Sequence, residues 1–235
     1  MNPIPARTAT LAACIALAFA AAGCTRSPDP APVDAAAATG AAQPAAEAAA
    51  AVPRDAGQDA ALDRAKAAAM AFSTTLRGEL QAAMAAGGPT SAVAVCHEQA
   101  PRIAEAVMAE HGVRLGRVAL PGRNRNPAQQ ADGWQLDTLQ AFQAAVDGGA
   151  AAGEQVAVVR DGLPEGVALR MMRGIATEAP CLACHGKDVA EPVRAAIAQR
   201  YPDDHATGFA VGDLRGALWV EVPVAAAQPA AGGGP

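Results

Sequence analysis

Between Asp59 and Ala86 the apolar residues Leu62, Ala65, Ala69, Phe72, Leu76 and Leu80 recur on one stripe, with Arg, Asp and Gln elsewhere. That period predicts a long amphipathic helix. Gly87, Gly88 and Pro89 end it, and "SAVAVCHEQA" begins a second helical stretch. Pro101 must kink or restart that stretch, because proline lacks an N–H and disfavours helical geometry at Ala100. Cys96, Ala100, Ile103 and Val107 share one face across the break. "VRLGRVAL" then reads as a strand and "PGRNRNPAQQ" as an ordered loop. "DGWQLDTLQAFQAAV" reads as a helix opened by a capping box of Asp132 and Gln135. Two strands follow, "EQVAVVRDG" and "GVALRMMRG", the second alternating Val167, Leu169 and Met171. Asp188 and Glu191 predict a capping box for a helix carrying Val193, Ile197 and Tyr201. "RGALWVEVPV" closes the pattern as a strand alternating Leu218, Val220 and Val222. Helices flanking an antiparallel sheet give an α+β class.

The two ends lie outside this pattern. "MNPIPARTAT", with one positive charge at Arg7, precedes the apolar run "LAACIALAFA" and the small-residue site "AAGC". The run is too short to span a bilayer, and the flanks predict a lipoprotein signal over residues 1–23 with Cys24 as the lipidated first residue. This implies export to the periplasmic side of a bacterial membrane, with the lipid as the only membrane contact. Residues 24–58 are nearly all Ala, Pro, Asp and Gly, and read as a disordered linker. Residues 225–235 read as a disordered tail for the same reason. One domain is expected over residues 59–224, long enough to enclose a core and a cofactor.

Charge narrows the function. Eighteen basic and 23 acidic residues leave a net charge of -5, with no basic stripe interleaved with aromatics, so nucleic acid is not an expected partner.

The chemistry is concentrated in "EAPCLACHGK", where Cys181, Cys184 and His185 form a C-x-x-C-H motif. Two thiols one helical turn apart can reach the two vinyl groups of one haem, and the adjacent His can swing under the iron. A structural zinc site would want a second ligand pair, and a thioredoxin-like site a strand and helix around an exposed dithiol. Neither context is visible, so one covalently bound haem c is expected. His185 should donate its other ring N–H to a carbonyl or carboxylate that fixes its orientation. Arg117, Arg123, Arg125 and Arg215 are candidates to pair with the propionates, although solvation is the ordinary fate of any one of them.

The iron's other face is less determined. All six methionines precede Cys181, so the downstream Met of a small electron-carrier cytochrome is missing. The sixth ligand must come from Cys96, His97, His111, His205, or an upstream Met such as Met108, Met171 or Met172. Cys14 leaves with the signal and Cys24 takes the lipid, so Cys96 is the one thiol without a prior claim. An unpaired thiol in an oxidising compartment needs protection, by burial or by iron, and Cys96 reads equally as a ligand or as a small buried hydrophobe. His97, about one hundred degrees round the helix, faces away if Cys96 faces in.

Cys96 with "APRIA" at 100–104, "GRVALPGRNRNPAQ" before a Trp-containing helix, "CLACHG", and "YPDDHATGFAVGDLRGALW" together resemble the exported PAS-like c-type haem domains. These occur alone or as the sensory half of membrane receptors and histidine kinases. The run Asn124 to Gln129 ends on Gln where that family carries Asn. The resemblance implies a PAS-like sheet and histidine/cysteine iron ligation, which fall here on His185 and Cys96. It also implies a haem sensor responding to redox state or to a small ligand such as CO or NO, with a redox or signalling protein as partner. A plain electron carrier is the alternative, since no kinase or transmembrane output follows. An enzyme such as a peroxidase is not expected.

Overall fold

The computed structural model describes residues 56–224. The signal segment, Cys24, most of the linker and the tail lie outside the described residues.

Helix α1 (Ala56–Ala94) begins three residues before the expected start and carries the predicted stripe into the core. Gly87 and Gly88 leave helical geometry inside it, Gly88 at φ 70° and ψ -166°, so the Gly-Gly-Pro break is real although the coil resumes at once. A π turn over Val95–Gln99 follows, then α2 (Ala100–His111) with Pro101 in its first turn. Proline is best tolerated at that position, its fixed φ suiting the first helical turn. The wider π turn is how the chain restarts without a sharp kink: the Ala100 N–H reaches back to the Val95 carbonyl.

β1 (Arg114–Val118), α3 (Gly133–Asp147), β2 (Val156–Val159) and β3 (Val167–Ala176) come next. The short α4 (Leu182–His185), α5 (Glu191–Arg200) and β4 (Leu214–Pro223) complete the described domain. The four strands form one antiparallel sheet in the order β1-β4-β3-β2. The α+β class is therefore correct.

Strand alternation assigns the two faces. Leu169 and Met171 of β3 and Leu218, Val220 and Val222 of β4 turn toward α1, where Ala65, Ala68, Phe72 and Leu76 complete the larger core. Alanines at the contact let α1 lie close to the sheet. The opposite face presents Met172, Ala217 and Leu214 to Leu139 and Phe142 of α3. Glu221 also points to that side and is buried, accepting from Arg114 at 3.0 Å and Arg170 at 2.9 Å. Arg170 lies over the ring of Trp134, and Trp134 meets Trp219 edge to face, so the one buried carboxylate of the sheet is paired where α3 docks.

Neither predicted capping box forms. Asp132 does occupy the position before α3, but its side chain makes no cap hydrogen bond. Gly133 enters at φ 45°, and the Asp132 carbonyl, rather than its carboxylate, receives the N–H groups of Gln135 and Leu136. α5 starts after Ala190 instead of Asp188, with Pro192 in its first turn. Val189 is drawn into a third apolar cluster with Val93, Val193, Ile197 and Tyr201, which moves the helix start past Asp188, and Glu191 pairs with Arg194 instead.

Candidate functional site

The C-x-x-C-H segment joins β3 to α5. Pro180 opens a 3-10 turn over Ala179–Cys181 and the single turn of α4 follows, so Cys181, Cys184 and His185 lie along consecutive helical turns. Gly186 is needed directly after, because a Cβ there would come within 2.7 Å of the Leu182 carbonyl oxygen. The chain then lies against the loop before β4: the Phe209 N–H donates to the His185 carbonyl at 2.9 Å, and the Gly208 N–H to the Gly186 carbonyl at 3.0 Å.

That loop holds the imidazole. His185 Nδ1 is 2.7 Å from the Ala206 carbonyl oxygen, which can only accept, so Nδ1 carries the proton and Nε2 presents a lone pair. The anchoring carbonyl expected from the sequence is thus identified. Burial pushes the imidazole pKa well below its ordinary range, and the nearby Arg215 and Arg125 push the same way against the Ala206 bond. The ring is neutral, the form that can ligate a metal. The edge of Phe209 closes one side at 6.3 Å between ring centroids.

Cys181 and Cys184 are both free and half-buried. Burial raises the Cys184 thiol pKa, opposed by Arg125 and reinforced by Cys96 and Cys181. Cys96, from the π turn, therefore shares one electrostatic neighbourhood with the motif, and it figures also among the causes of the shifts at Tyr201 and Arg215. It is half-buried and free, while Val95 beside it belongs to the main core.

The other candidates separate from this group. His205 is exposed, its backbone N–H donating to the Asn124 carbonyl. His111 ends α2. Met171 and Met172 are consumed by opposite sheet cores, and Met108 packs beside α1. His97 is exposed, as its position round the helix requires, but it is not idle: its ring meets Tyr201 edge to face at 5.3 Å.

The four arginines divide. Arg125 is only 6% exposed. It pairs with Asp204 at 3.0 Å and donates to the Cys184 carbonyl at 2.7 Å, so surface solvation is excluded for it and it is a structural member of the site. Arg215 Nη2 donates to His185 Nε2 across 3.2 Å, and its Nε is buried without a partner. Burial, then Arg125 and Arg117, lower its pKa to about 10. Arg123 lies over the Phe209 ring at 3.9 Å and Arg117 over Phe72 at 5.8 Å. Sequence reasoning missed Asp204, Ala206 and Phe209 as individual members. The signal was the polar turn "PDDHATG", since an Asp two residues before an N–H is a recurrent turn former.

A family model described as Tll0287-like matches residues 49–223. No curated protein sequence matches. Among solved structures, the "crystal structure of the cyanobacterial heme-protein Tll0287" is similar at 28% identity and a TM-score of 0.46, over 65% of this chain and 92% of that one.

Proposed function

The chain belongs to the Tll0287-like family, and from that premise we propose that its domain is a covalent haem-c domain whose iron responds to redox state or to a small ligand. The observation that carries this reading is the bond from His185 Nδ1 to the Ala206 carbonyl: it leaves a neutral imidazole at the end of a C-x-x-C-H turn, with an unprotonated Nε2 met only by Arg215 Nη2 at 3.2 Å. The heme-protein title of the similar structure agrees with it.

The residues present fit such a group. Two free thiols one turn apart offer the attachment points. Arg215, which must yield Nε2 to a metal, is incompletely satisfied where it stands, its buried Nε lacking a partner. With Arg123 it provides cations suited to carboxylates. Haem, when bound, supplies a one-electron iron couple and, where a ligand can leave, a position for a diatomic molecule.

The chain's own residues would then act as follows. Cys181 and Cys184 hold the group, and His185 ligates from a fixed ring. Cys96 would be the second residue to hold the iron, through its thiolate, and protonation of that thiol would weaken its hold. The proposed setting is an exported lipoprotein tethered through Cys24, with a binding and signalling role instead of turnover. Optical and EPR spectra of the ferric and ferrous protein, wild type and Cys96→Ala, test the reading. Loss of a thiolate-type ferric spectrum in the variant is expected; unchanged spectra would remove Cys96 from the iron.

A further inference from the structure

We propose that Arg125 and Asp204 are positioning residues for His185, fixing from behind both the aim of its ring and the strength of the hydrogen bond it donates. This rests on the reading of His185 as the iron ligand.

A loop carbonyl can hold an imidazole only if its own peptide cannot turn. Ala206 is held on both sides. Its N–H donates to Asp204 Oδ1 at 2.8 Å, and its carbonyl, besides receiving His185 Nδ1 at 2.7 Å, lies 3.4 Å from Arg125 Nη2. Arg125 in turn grips both oxygens of Asp204, Nε to Oδ1 at 3.0 Å and Nη2 to Oδ2 at 3.1 Å. The same Nη2 donates to the Cys184 carbonyl at 2.7 Å. One planar guanidinium therefore joins the residue before His185 to the loop that receives the His185 proton. Both side chains are covered, at 7% and 11% exposure.

Stability alone does not account for this arrangement. A buried ion pair roughly breaks even against apolar side chains of the same volume, whereas a fork with several fixed acceptors is specific in direction. Its target is the carbonyl that sets ring orientation and ligand basicity, the function of outer partners of ligating histidines. A firmly held Nδ1–H···O bond makes the imidazole a stronger donor at Nε2 and favours ferric iron. A loosened one lets the ring take more than one orientation and raises the potential.

The test compares the full holoprotein with Asp204→Asn, Arg125→Lys and Asp203→Asn, the last removing the same charge one residue away on an exposed side chain. Intact mass reports attached haem, and ferric EPR and the midpoint potential report the ligand field. Asp204→Asn is expected to keep its haem, to split or broaden the low-spin signal, and to shift the potential upward beyond the shift of Asp203→Asn. Arg125→Lys is expected to broaden the signal as well, and is read in the same way if Asp204→Asn does not accumulate. Signals and potentials matching Asp203→Asn would overturn the positioning role. Wild type without attached haem would instead overturn the reading beneath it, and is seen in the wild-type mass alone.

Discussion

Arg125 and Asp204 meet through two parallel contacts of 3.0 and 3.1 Å inside the protein, although they stand on separate loops far apart in the chain. Removing one partner leaves an uncompensated and largely covered charge. Arg125→Ala is therefore expected to destabilise the domain by about 3–5 kcal/mol in urea unfolding. Combined with Asp204→Ala, the loss should be well below the sum of the single losses. Additive losses would mean the two side chains are stabilised independently.

Tyr201 sets an alkaline limit. Burial, with the charge at Cys96 adding to it, raises its phenol from 10.0 to about 12. The folded state therefore keeps a proton that the unfolded chain gives up above pH 10. The stabilisation is complete below pH 10 and is lost as pH climbs toward 12. Tyr201→Phe should flatten that fall relative to wild type in unfolding measured from pH 9 to pH 12. Parallel curves for the two proteins would contradict the shift.

Gly216 is required by contact as well as by conformation. It lies in β4 at φ 147°, and a Cβ there would sit 2.3 Å from the Val118 carbonyl oxygen of β1. Gly216→Ala should cost about 1–3 kcal/mol or more through forced separation of the two strands, read as a lower midpoint in thermal unfolding. An unchanged midpoint would mean that β1 can give way freely.

Covalent attachment has a direct assay. Cys181→Ala with Cys184→Ala should lower the intact mass by the haem as well as by two sulfurs, while far-UV circular dichroism stays close to wild type, because both thiols lie outside the two sheet cores. Haem mass retained in the double variant would refute attachment through this motif.

Most of the fold is legible from period alone. Leu169 and Met171, with Leu218, Val220 and Val222, alternate because one sheet face is buried under α1, and the stripe on α1 answers them. The caps were not legible, because a box needs the side chain to turn back over the first N–H groups. Gly133 and Pro192 start their helices by backbone geometry instead. At the site, the spacing of C-x-x-C-H is what suggests haem, whereas the role proposed for Asp204 depends on a partner 79 residues away. A one-dimensional pattern carries no trace of such a pairing until Arg125 is seen to be buried.

The strand order has a consequence for how the protein matures. β1 and β3 pair with β4 and not with each other, so the sheet stays in two pieces until the last described strand arrives. The Cys181–His185 turn precedes β4 in the chain, and Ala206, Phe209 and Arg215 lie between the turn and the body of that strand or at its start. Until β4 pairs, the two thiols of the turn stand beside an unfinished sheet and the imidazole has no fixed carbonyl to hold it. Closure of the sheet is thus also the step that seats the histidine, because the loop that carries Ala206 leads directly into β4.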